Sequence, residues 1–420
     1  MIVGGGFGGA YAARELERRL RHREERVLLV APDNFLLFSP LLPEAASGTI
    51  EPRHSVIPLR EILRRTDLVA GTIDSLDIEA RTAVVVDKAG ERTSISFRSV
   101  IIAPGSAARV LPIPGLVEHA VGFRTLADAI WLRNNVLAQL EAANAATDAS
   151  RRRAMLTFTF IGGGYAGVEA LAELESMARD ALRMYPKLRV GDMRWVLIEA
   201  QATLLPGIAP TLARYTARLL RKRGIEVYTE SRLASCLDGV VMLDRADIAP
   251  YRCETIVWTA GQRPSPFVAD LGLPLDERGR VVVDEYLAVP GVADTFVIGD
   301  AASVPDPDGG TTPPTAQHAL RQGRVAAINA AADLGIGTRA PFRYRNRGLA
   351  VTLGRWRGAA QVKRWGFTGP LAWWMGRSYH LLMLPGYVRR ARIVIDWTLA
   401  LFFARDVSSL GALGTPSRLQ

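Results

Sequence analysis

Short apolar runs alternate with helix-length segments along most of the chain. Residues 27–30, 156–161 and 195–198 are mostly apolar, with β-branched and aromatic side chains, whereas residues 10–20 and 168–183 have the composition of helices. This alternation is typical of βαβ units, which build parallel sheets covered by helices. The pattern therefore predicts an α/β protein.

A glycine-rich turn follows the first short apolar run. Gly4, Gly6 and Gly9 form a GxGxxG pattern between a predicted strand and a predicted helix. Such glycines permit a tight bend, a close approach of the backbone to a pyrophosphate, and tight helix packing. The candidate nucleotide-binding residues here are Gly4, Gly6, Phe7, Gly8 and Gly9. The acid that usually ends the second strand is replaced by Ala31, so Asp33 is the nearest candidate for the ribose.

The same arrangement occurs a second time. Gly162, Gly164 and Gly167 repeat the pattern after residues 156–161, and Glu199 ends the next predicted strand. A carboxylate there accepts both ribose hydroxyls of NADH and repels the 2′-phosphate of NADPH, so NADH is favoured. Two Rossmann-like dinucleotide folds indicate two nucleotides, most economically a flavin and a nicotinamide.

Three further predicted strands end in small or acidic residues. They read VIIAPG at 100–105, TIVWTAG at 255–261 and TFVIGD at 295–300. The carboxyl ends of parallel strands are where such folds bind nucleotides. The candidates there are Ala103, Gly105, Gly261, Gly299 and Asp300, and the Asp300 carboxylate is suited to accept hydrogen bonds from ribityl hydroxyls.

The order of these motifs predicts a discontinuous domain layout. At about 100–200 residues per domain, 420 residues exceed one ordinary core. We expect a flavin-binding domain at residues 1–115 and 265–345, with a NADH-binding domain at 116–264 inserted into it. Residues 346–420 form a separate C-terminal segment in this prediction.

The motifs together resemble those of the type II NADH dehydrogenases, within the two-dinucleotide-fold flavoprotein reductases. The resemblance covers nearly the whole chain and rests on both glycine turns and on NFLLFSPLLPEAASG at 34–48, PLR at 58–60, GVE at 167–169, WTAG, IGDAA and PTAQ at 314–317. Cys236 and Cys253 are the only cysteines and form no CxxxxC. Their spacing tells against disulfide reductases and sulfide:quinone oxidoreductases.

This resemblance implies a non-proton-pumping NADH:quinone oxidoreductase with a glutathione-reductase-like fold. It implies hydride transfer from NADH to FAD and passage of two electrons to a membrane quinone. It places Glu169 near the nicotinamide, and Ala316 and Gln317 near the flavin at the quinone pocket. A structural alternative for Glu169 is a first-turn acid facing a helix N-terminus. Arg321 stands where the family has Gln, which leaves open another quinone or a non-quinone acceptor.

Charge is concentrated near the C-terminus. The chain carries a net charge of +10, and residues 339–405 hold thirteen Arg or Lys against one acid, Asp396. Twelve of the 31 aromatic residues lie in the same stretch. Cations with Trp and Tyr on short apolar helices are typical of a segment that rests on an anionic lipid surface. A homodimer interface and, more weakly, a nucleic-acid surface are alternatives, and membrane and dimer contacts can coexist.

The remaining features concern location and function class. No apolar run approaches the about 20 residues of a spanning helix, and no signal peptide precedes Gly4, so we expect a peripheral protein on the cytoplasmic side of the cell membrane. Only three residues precede Gly4, which predicts an upstream native start. Five histidines make a metal site improbable. A non-enzymatic membrane-associated NADH/FAD sensor remains an alternative to the enzyme.

Overall fold

The computed structural model describes residues 1–345 and 348–409, which fall into two compact units. The first unit consists of Met1–Leu37, Val56–Ala108 and the described residues from Gln262 onward to 345. The second consists of Phe38–Ser55, Arg109–Gly261 and the described residues from 348 to 409. Each unit contains one of the two glycine turns.

The first unit is built on a seven-stranded sheet with the order β20-β8-β1-β2-β5-β6-β7. Its strands, numbered along the whole chain, are β1 (Ile2–Val3), β2 (Val27–Ala31), β3 (Phe35–Leu37), β4 (Val56–Pro58), β5 (Thr66–Asp77), β6 (Thr82–Asp87), β7 (Arg92–Ser96), β8 (Val100–Ile102), β9 (Ser106–Ala108), β18 (Gln262–Pro264), β19 (Val281–Val282), β20 (Thr295–Val297) and β21 (Ala302–Ser303). Its helices are α1 (Phe7–Arg19), α3 (Leu59–Ile62) and α9 (Ala316–Asp333).

The first five strands of this sheet are parallel, and β6 and β7 add an antiparallel edge. In register, Val3 lies opposite Val30 and Ile102. The central strands are apolar on both faces because helices cover a parallel sheet on both sides. The strand ends after β1, β8 and β20 therefore lie side by side.

The second unit contains a five-stranded parallel sheet with the order β10-β17-β11-β12-β13. Its strands are β10 (Ala120–Gly122), β11 (Thr157–Ile161), β12 (Arg194–Ile198), β13 (Glu226–Tyr228), β14 (Leu233–Ser235), β15 (Val240–Leu243), β16 (Tyr251–Arg252), β17 (Thr255–Trp258), β22 (Gly348–Thr352), β23 (Gly358–Val362) and β24 (Trp365–Thr368). Its helices are α2 (Leu42–Ala46), α4 (Leu116–His119), α5 (Leu126–Ala145), α6 (Ala149–Met155), α7 (Tyr165–Ala181), α8 (Pro210–Lys222), α10 (Gly369–Met383) and α11 (Tyr387–Phe402).

The C-terminal part of the second unit is an antiparallel sheet, β22-β23-β24, followed by two helices. Pro385 and Gly386 separate α10 from α11, and Gly386 has φ +85°. Proline lacks an N–H, and a positive φ suits glycine, so the two residues end one helix and redirect the chain. Within the described residues, no helix combines the length and apolarity that crossing a membrane requires.

The observed division differs from the predicted layout in two large segments and at two short boundaries, since residues 109–115 lie in the second unit and residues 262–264 in the first. Residues 38–55, predicted in the flavin domain, belong to the second unit, and so do the described residues after 347, predicted as a separate segment. The reason is packing: helix α2 is entirely buried, and Glu44 accepts a hydrogen bond from the Trp397 indole N–H at 2.5 Å. These partners are 353 positions apart, beyond the reach of a local pattern.

Candidate functional site

The first glycine turn is tightly packed where predicted. Gly4 has φ +101°, and a Cβ on it would lie 2.2 Å from the Ala103 carbonyl oxygen. A Cβ on Gly9 would lie 1.8 Å from the Gly4 oxygen, whereas one on Gly6 would meet nothing within 4 Å. Two positions thus need glycine for packing, and the third faces open space at the start of α1. That combination fits a dinucleotide phosphate, since the first N–H groups of a helix have no partner within it.

Helix α1 is held by a second close approach. Gly323 of α9 packs on Gly8, and a Cβ on Gly323 would lie 2.2 Å from the Gly8 oxygen. Gly8 in turn faces Ile298, whose Cδ1 would be 3.0 Å from an added Cβ. Sequence reasoning missed Gly323, because nothing near it in the chain indicates contact with the turn.

The end of β20 carries the predicted Asp300. Its Oδ2 accepts a hydrogen bond from Ser106 Oγ at 2.7 Å. Gly299 has φ +73° and donates its N–H to Gln322 Oε1 at 2.8 Å. Gln322 is buried and donates to Thr312 Oγ1 at 3.2 Å, so this loop is fixed by a side chain that the sequence analysis did not single out.

The predicted quinone-pocket residues open helix α9. The Gln317 side-chain oxygen accepts a hydrogen bond from the Tyr344 hydroxyl at 2.6 Å. Arg321 stacks its guanidinium 4.1 Å from the centre of the same ring and donates to the Gln317 carbonyl at 2.7 Å. Arg321 is therefore held along its own helix. Tyr344 was not predicted; its place twenty-seven positions from Gln317 gave no local signal.

His318 lies on the same first turn and is buried. Its Nδ1 is 2.7 Å from Thr315 Oγ1, the N-cap hydroxyl of the helix. Burial lowers the pKa of His318 below its usual value. His318 is therefore a packed imidazole of the helix, neutral at pH 7.

The second glycine turn repeats the geometry of the first. A Cβ on Gly167 would lie 2.1 Å from the Gly162 oxygen and 2.4 Å from Thr259 Oγ1, whereas Gly164 faces open space. Thr259 Oγ1 lies 3.0 Å and 3.1 Å from the carbonyls of Ile161 and Gly162, to which it donates. Thr259 belongs to the WTAG segment, so its place in the motif was the signal that could have identified it.

Glu199 lies at the end of β12, beside this turn. Its two carboxylate oxygens accept backbone N–H groups from Gly163 at 2.5 Å and Gln201 at 2.7 Å. The side chain is therefore fixed at the edge where a bound adenosine ribose is expected.

Glu169, the fifth residue of α7, is buried and bonded to the C-terminal sheet. Its Oε1 accepts hydrogen bonds from the backbone N–H of Thr352 at 2.8 Å and from the Thr352 hydroxyl at 3.2 Å. Burial raises the pKa of Glu169 to about 8, although both bonds act in the opposite direction. The nearby Tyr165 hydroxyl is also buried, and burial raises its pKa too. Glu169 lies beyond the first turn of α7, and a pKa of about 8 keeps its carboxyl mostly protonated at pH 7. The alternative of a first-turn acid facing the helix N-terminus is therefore wrong.

The other predicted residues occupy loops at the same strand ends. Ala103 follows β8 and is buried against the first turn, while Gly105 and Gly261 have φ +74° and +87°. Asp33 is exposed in the turn after β2. The structure thus brings the predicted residues into two groups, one per unit, each at the carboxyl ends of parallel strands.

The cysteines of this chain are not placed for redox chemistry at either set of predicted residues. Cys236 and Cys253 are free and buried, and burial raises the pKa of the Cys253 thiol to about 11. In the part of the chain that the structure describes, no cluster of His, Cys, Asp or Glu is arranged to hold a metal ion.

Comparison with known proteins identifies the family. Residues 1–323 match the model of the pyridine nucleotide-disulphide oxidoreductases. The type II NADH:quinone oxidoreductase NdhA of Mycobacterium tuberculosis is 30% identical over 413 residues, covering 94% of this chain and 86% of that protein. Ndh from the same organism, of the same description, is 29% identical over 418 residues, with 96% and 88% covered.

The fold is also that of a solved structure. NDH2 from Plasmodium falciparum, in complex with NADH, superposes with a TM-score of 0.89 at 17% identity, covering 97% of this chain and 99% of that one. The resemblance inferred from the motifs is confirmed, as are FAD and NADH as cofactors. The chain belongs to the pyridine nucleotide-disulphide oxidoreductases and, within them, to the type II NADH:quinone oxidoreductases.

Proposed function

We propose that this chain is a peripheral membrane enzyme that oxidises NADH through FAD and reduces a quinone, with the two groups of residues described above as its nucleotide sites. The observation that carries the proposal is the presence of two complete glycine turns, at residues 4–9 and 162–167. In each turn, one glycine faces open space at a helix N-terminus. A sensor that only binds a nucleotide needs one such turn, whereas two turns suit electron transfer from one nucleotide to another.

In this proposal each unit holds one nucleotide. The first turn and Asp300 bind FAD, whose ring would accept hydride and pass electrons on. The second turn binds NADH, and Glu199 selects against NADPH because a fixed carboxylate repels a 2′-phosphate. The remaining protein groups bind, orient and shield, since the cofactor carries the redox chemistry.

Glu169 and Gln317 are proposed as the residues closest to the chemistry. Reducing a quinone to a quinol takes two electrons and two protons, of which the hydride of NADH brings one proton. Glu169 holds a proton at neutral pH, and because Thr352 bonds its Oε1, that proton belongs on Oε2. Gln317 presents an amide fixed by Tyr344. If Glu169 donates this proton it becomes a carboxylate and must be reprotonated before the next turnover, whereas the Gln317 amide stays neutral throughout.

The membrane contact is proposed for the last two helices. Large apolar side chains on α10 and α11 are exposed, among them Leu382 at 68%, Tyr387 at 84% and Phe402 at 79%. Arg389 and Arg392 follow the same break between the helices. Exposed apolar residues flanked by cations suit an anionic lipid surface on the cytoplasmic side. A homodimer contact over the same face is compatible with this proposal.

Stopped-flow absorbance of the bound flavin tests the activity. We expect NADH to bleach the flavin absorbance. Adding a short-chain quinone should then restore the absorbance at a rate no slower than kcat. Bleaching without recovery by any quinone would move the acceptor to another class of molecule. If NADH does not bleach the flavin at all, the hypothesis of a non-enzymatic NADH/FAD sensor is favoured over the enzyme.

Co-sedimentation with vesicles tests the membrane contact. The double variant Leu382→Asp/Phe402→Asp should lose binding to phosphatidylglycerol-containing vesicles, because each buried apolar side chain is worth about 1.5–3 kcal/mol. Val117→Asp, at a residue 74% exposed elsewhere in the second unit, is the matched control. If the double variant binds vesicles normally but changes its sedimentation coefficient, the face is a dimer interface and not a lipid contact.

A further inference from the structure

A separate cavity lies inside the second unit, where the C-terminal end of α7 meets α10 and α11. It has a volume of about 90 Å³, and its polar lining comes from Asp180, Arg183, Arg355, Trp373, Arg377 and Arg405. Asp180 is eleven residues beyond Glu169 on the same helix, which places it about 16 Å away along the axis. The Asp180 end of the cavity is therefore well separated from Glu169, while Arg405 at the other end bonds Glu173, one helical turn beyond Glu169.

The first wall of the cavity is a buried arginine between two indole rings. The Arg377 guanidinium lies 3.8 Å from the centre of the Trp373 ring and 4.9 Å from that of Trp397. Its side chain is 4% exposed. Arg377 Nε is 3.2 Å from Glu44 Oε1, yet among the described residues it has no hydrogen-bond partner. A buried, charged N–H group is thus left unsatisfied at the cavity wall.

The opposite wall repeats this situation. The Arg405 side chain is 7% exposed, and its Nη1 lies 3.5 Å from Asp180 Oδ2 without a hydrogen bond to any described residue. The indole N–H of Trp373, which is 1% exposed, has no partner in the described part of the chain either. Three buried donors around one small space are costly unless a ligand accepts from them.

The charge of the surroundings favours an anion. The lining contains four arginines and one acid, and the two other acids that pair with these arginines are Glu44 and Glu173. One positive charge therefore remains after all three acids are counted. The space is several times the about 10–15 Å³ that one water requires. Several N–H donors, mostly from guanidinium groups, suit a group with several acceptor oxygens, and the planar guanidinium matches the geometry of phosphate oxygens.

We propose that this cavity binds a phosphate group, and that a phospholipid headgroup is its most natural source. Leu401 and Ala404 complete the wall at the end of α11. Their neighbours Leu399, Phe402 and Phe403 are 51%, 79% and 66% exposed, so apolar surface for an acyl chain adjoins the cavity. The phosphate site requires neither the activity nor the vesicle binding proposed above.

Isothermal titration calorimetry on the full-length, FAD-loaded protein tests the site without any vesicle. The titrants are inorganic phosphate and a short-chain phosphatidylglycerol below its micellar concentration. Arg183 is exposed at the cavity, so Arg183→Glu reverses a lining charge without removing a buried pair. We expect it to weaken phosphate binding about 3- to 10-fold. Arg151→Glu, at an exposed position of α6, makes the same change of charge elsewhere and should have no effect.

The outcomes separate the two sources of phosphate. Tighter binding of the lipid than of inorganic phosphate, with both weakened by Arg183→Glu alone, supports a headgroup site. Equal affinities with the same variant pattern support a site for free phosphate. Absence of binding of either titrant, or equal effects of the two variants, overturns the proposal. Because no membrane or substrate is present, failure here is distinguishable from failure of the proposed enzyme or its membrane contact.

Discussion

The neutral carboxyl of Glu169 leads to a prediction about stability and pH. Burial raises its pKa in the folded protein to about 8, from 4.5 for an unperturbed carboxyl. Glu169→Gln keeps the shape and an acceptor oxygen for the Thr352 N–H, but cannot ionise. The variant therefore isolates the free energy of ionising one buried side chain.

The sign of the effect follows from proton linkage. Between the two pKa values the folded state holds one proton more than the unfolded state, so the free energy of unfolding falls as the pH rises. The full contribution of the neutral carboxyl is present below the unfolded pKa and is lost as the pH rises to about 8. Each pH unit in this window corresponds to about 1.4 kcal/mol, with about 5 kcal/mol as the upper limit. From about pH 6 to pH 8, Glu169→Gln should gain about 2 kcal/mol relative to the parent.

Tryptophan fluorescence during urea unfolding is the appropriate measurement. All eight tryptophans lie in the second unit, the unit that contains Glu169, so the signal reports on that unit. Both proteins carry FAD, and any pH dependence of flavin binding cancels in their difference. Glu118→Gln, at an exposed position of α4 in the same unit, is the control. A constant stability difference between Glu169→Gln and the parent across this range would refute the neutral-carboxyl argument.

Three substitutions test the nucleotide sites. Gly4→Ala forces a Cβ to 2.2 Å from the Ala103 oxygen, so strain of about 1–3 kcal/mol should reduce bound FAD, read from the flavin-to-protein absorbance ratio; full occupancy would contradict this. Gly167→Ala makes the equivalent clash in the second unit, so the KM for NADH should rise about tenfold while the FAD content stays normal. An unchanged KM would contradict the proposed role of this glycine turn in NADH binding. Glu199→Gln should narrow the ratio of kcat/KM for NADH over NADPH by about tenfold, and an unaltered ratio would remove its role.

Much of both nucleotide folds could be predicted because local rules specify them. Gly4 and Gly162 lie between a strand and a helix, and the positive φ and close packing seen at both are the reasons that glycine occurs there. The break at Gly386 also follows a local rule, since proline and glycine act on the residues next to them. The sequence did not predict that residues 38–55 belong to the second unit, because α2 is fixed by burial against distant helices.

In the candidate sites, too, residues indicated by a local motif could be predicted, and residues brought close by the fold could not. Glycines and strand-end acids could be proposed from the sequence, because their positions in the motifs indicate them. The groups that tune them were missed: Thr352 is 183 positions from Glu169, and Tyr344 approaches Gln317 from a different segment. Pairing over such distances is set by the fold as a whole, and a single sequence shows no periodicity that reveals it.

The cationic C-terminal stretch also has a different meaning in the fold than in the sequence. Several of its charges are engaged inside the protein: Arg377 and Arg405 are buried beside acids, and Arg355 donates to the Leu401 carbonyl. Arg339 and Arg345 pair with Asp333 and Asp308 in the first unit. Since these charges are paired with acids or enclosed within the protein, the charge count of residues 339–405 overstates the long-range electrostatic attraction of this stretch to membranes. In the proposed membrane contact, the exposed apolar side chains of α10 and α11 would then supply most of the affinity for vesicles, and that affinity should depend only weakly on salt.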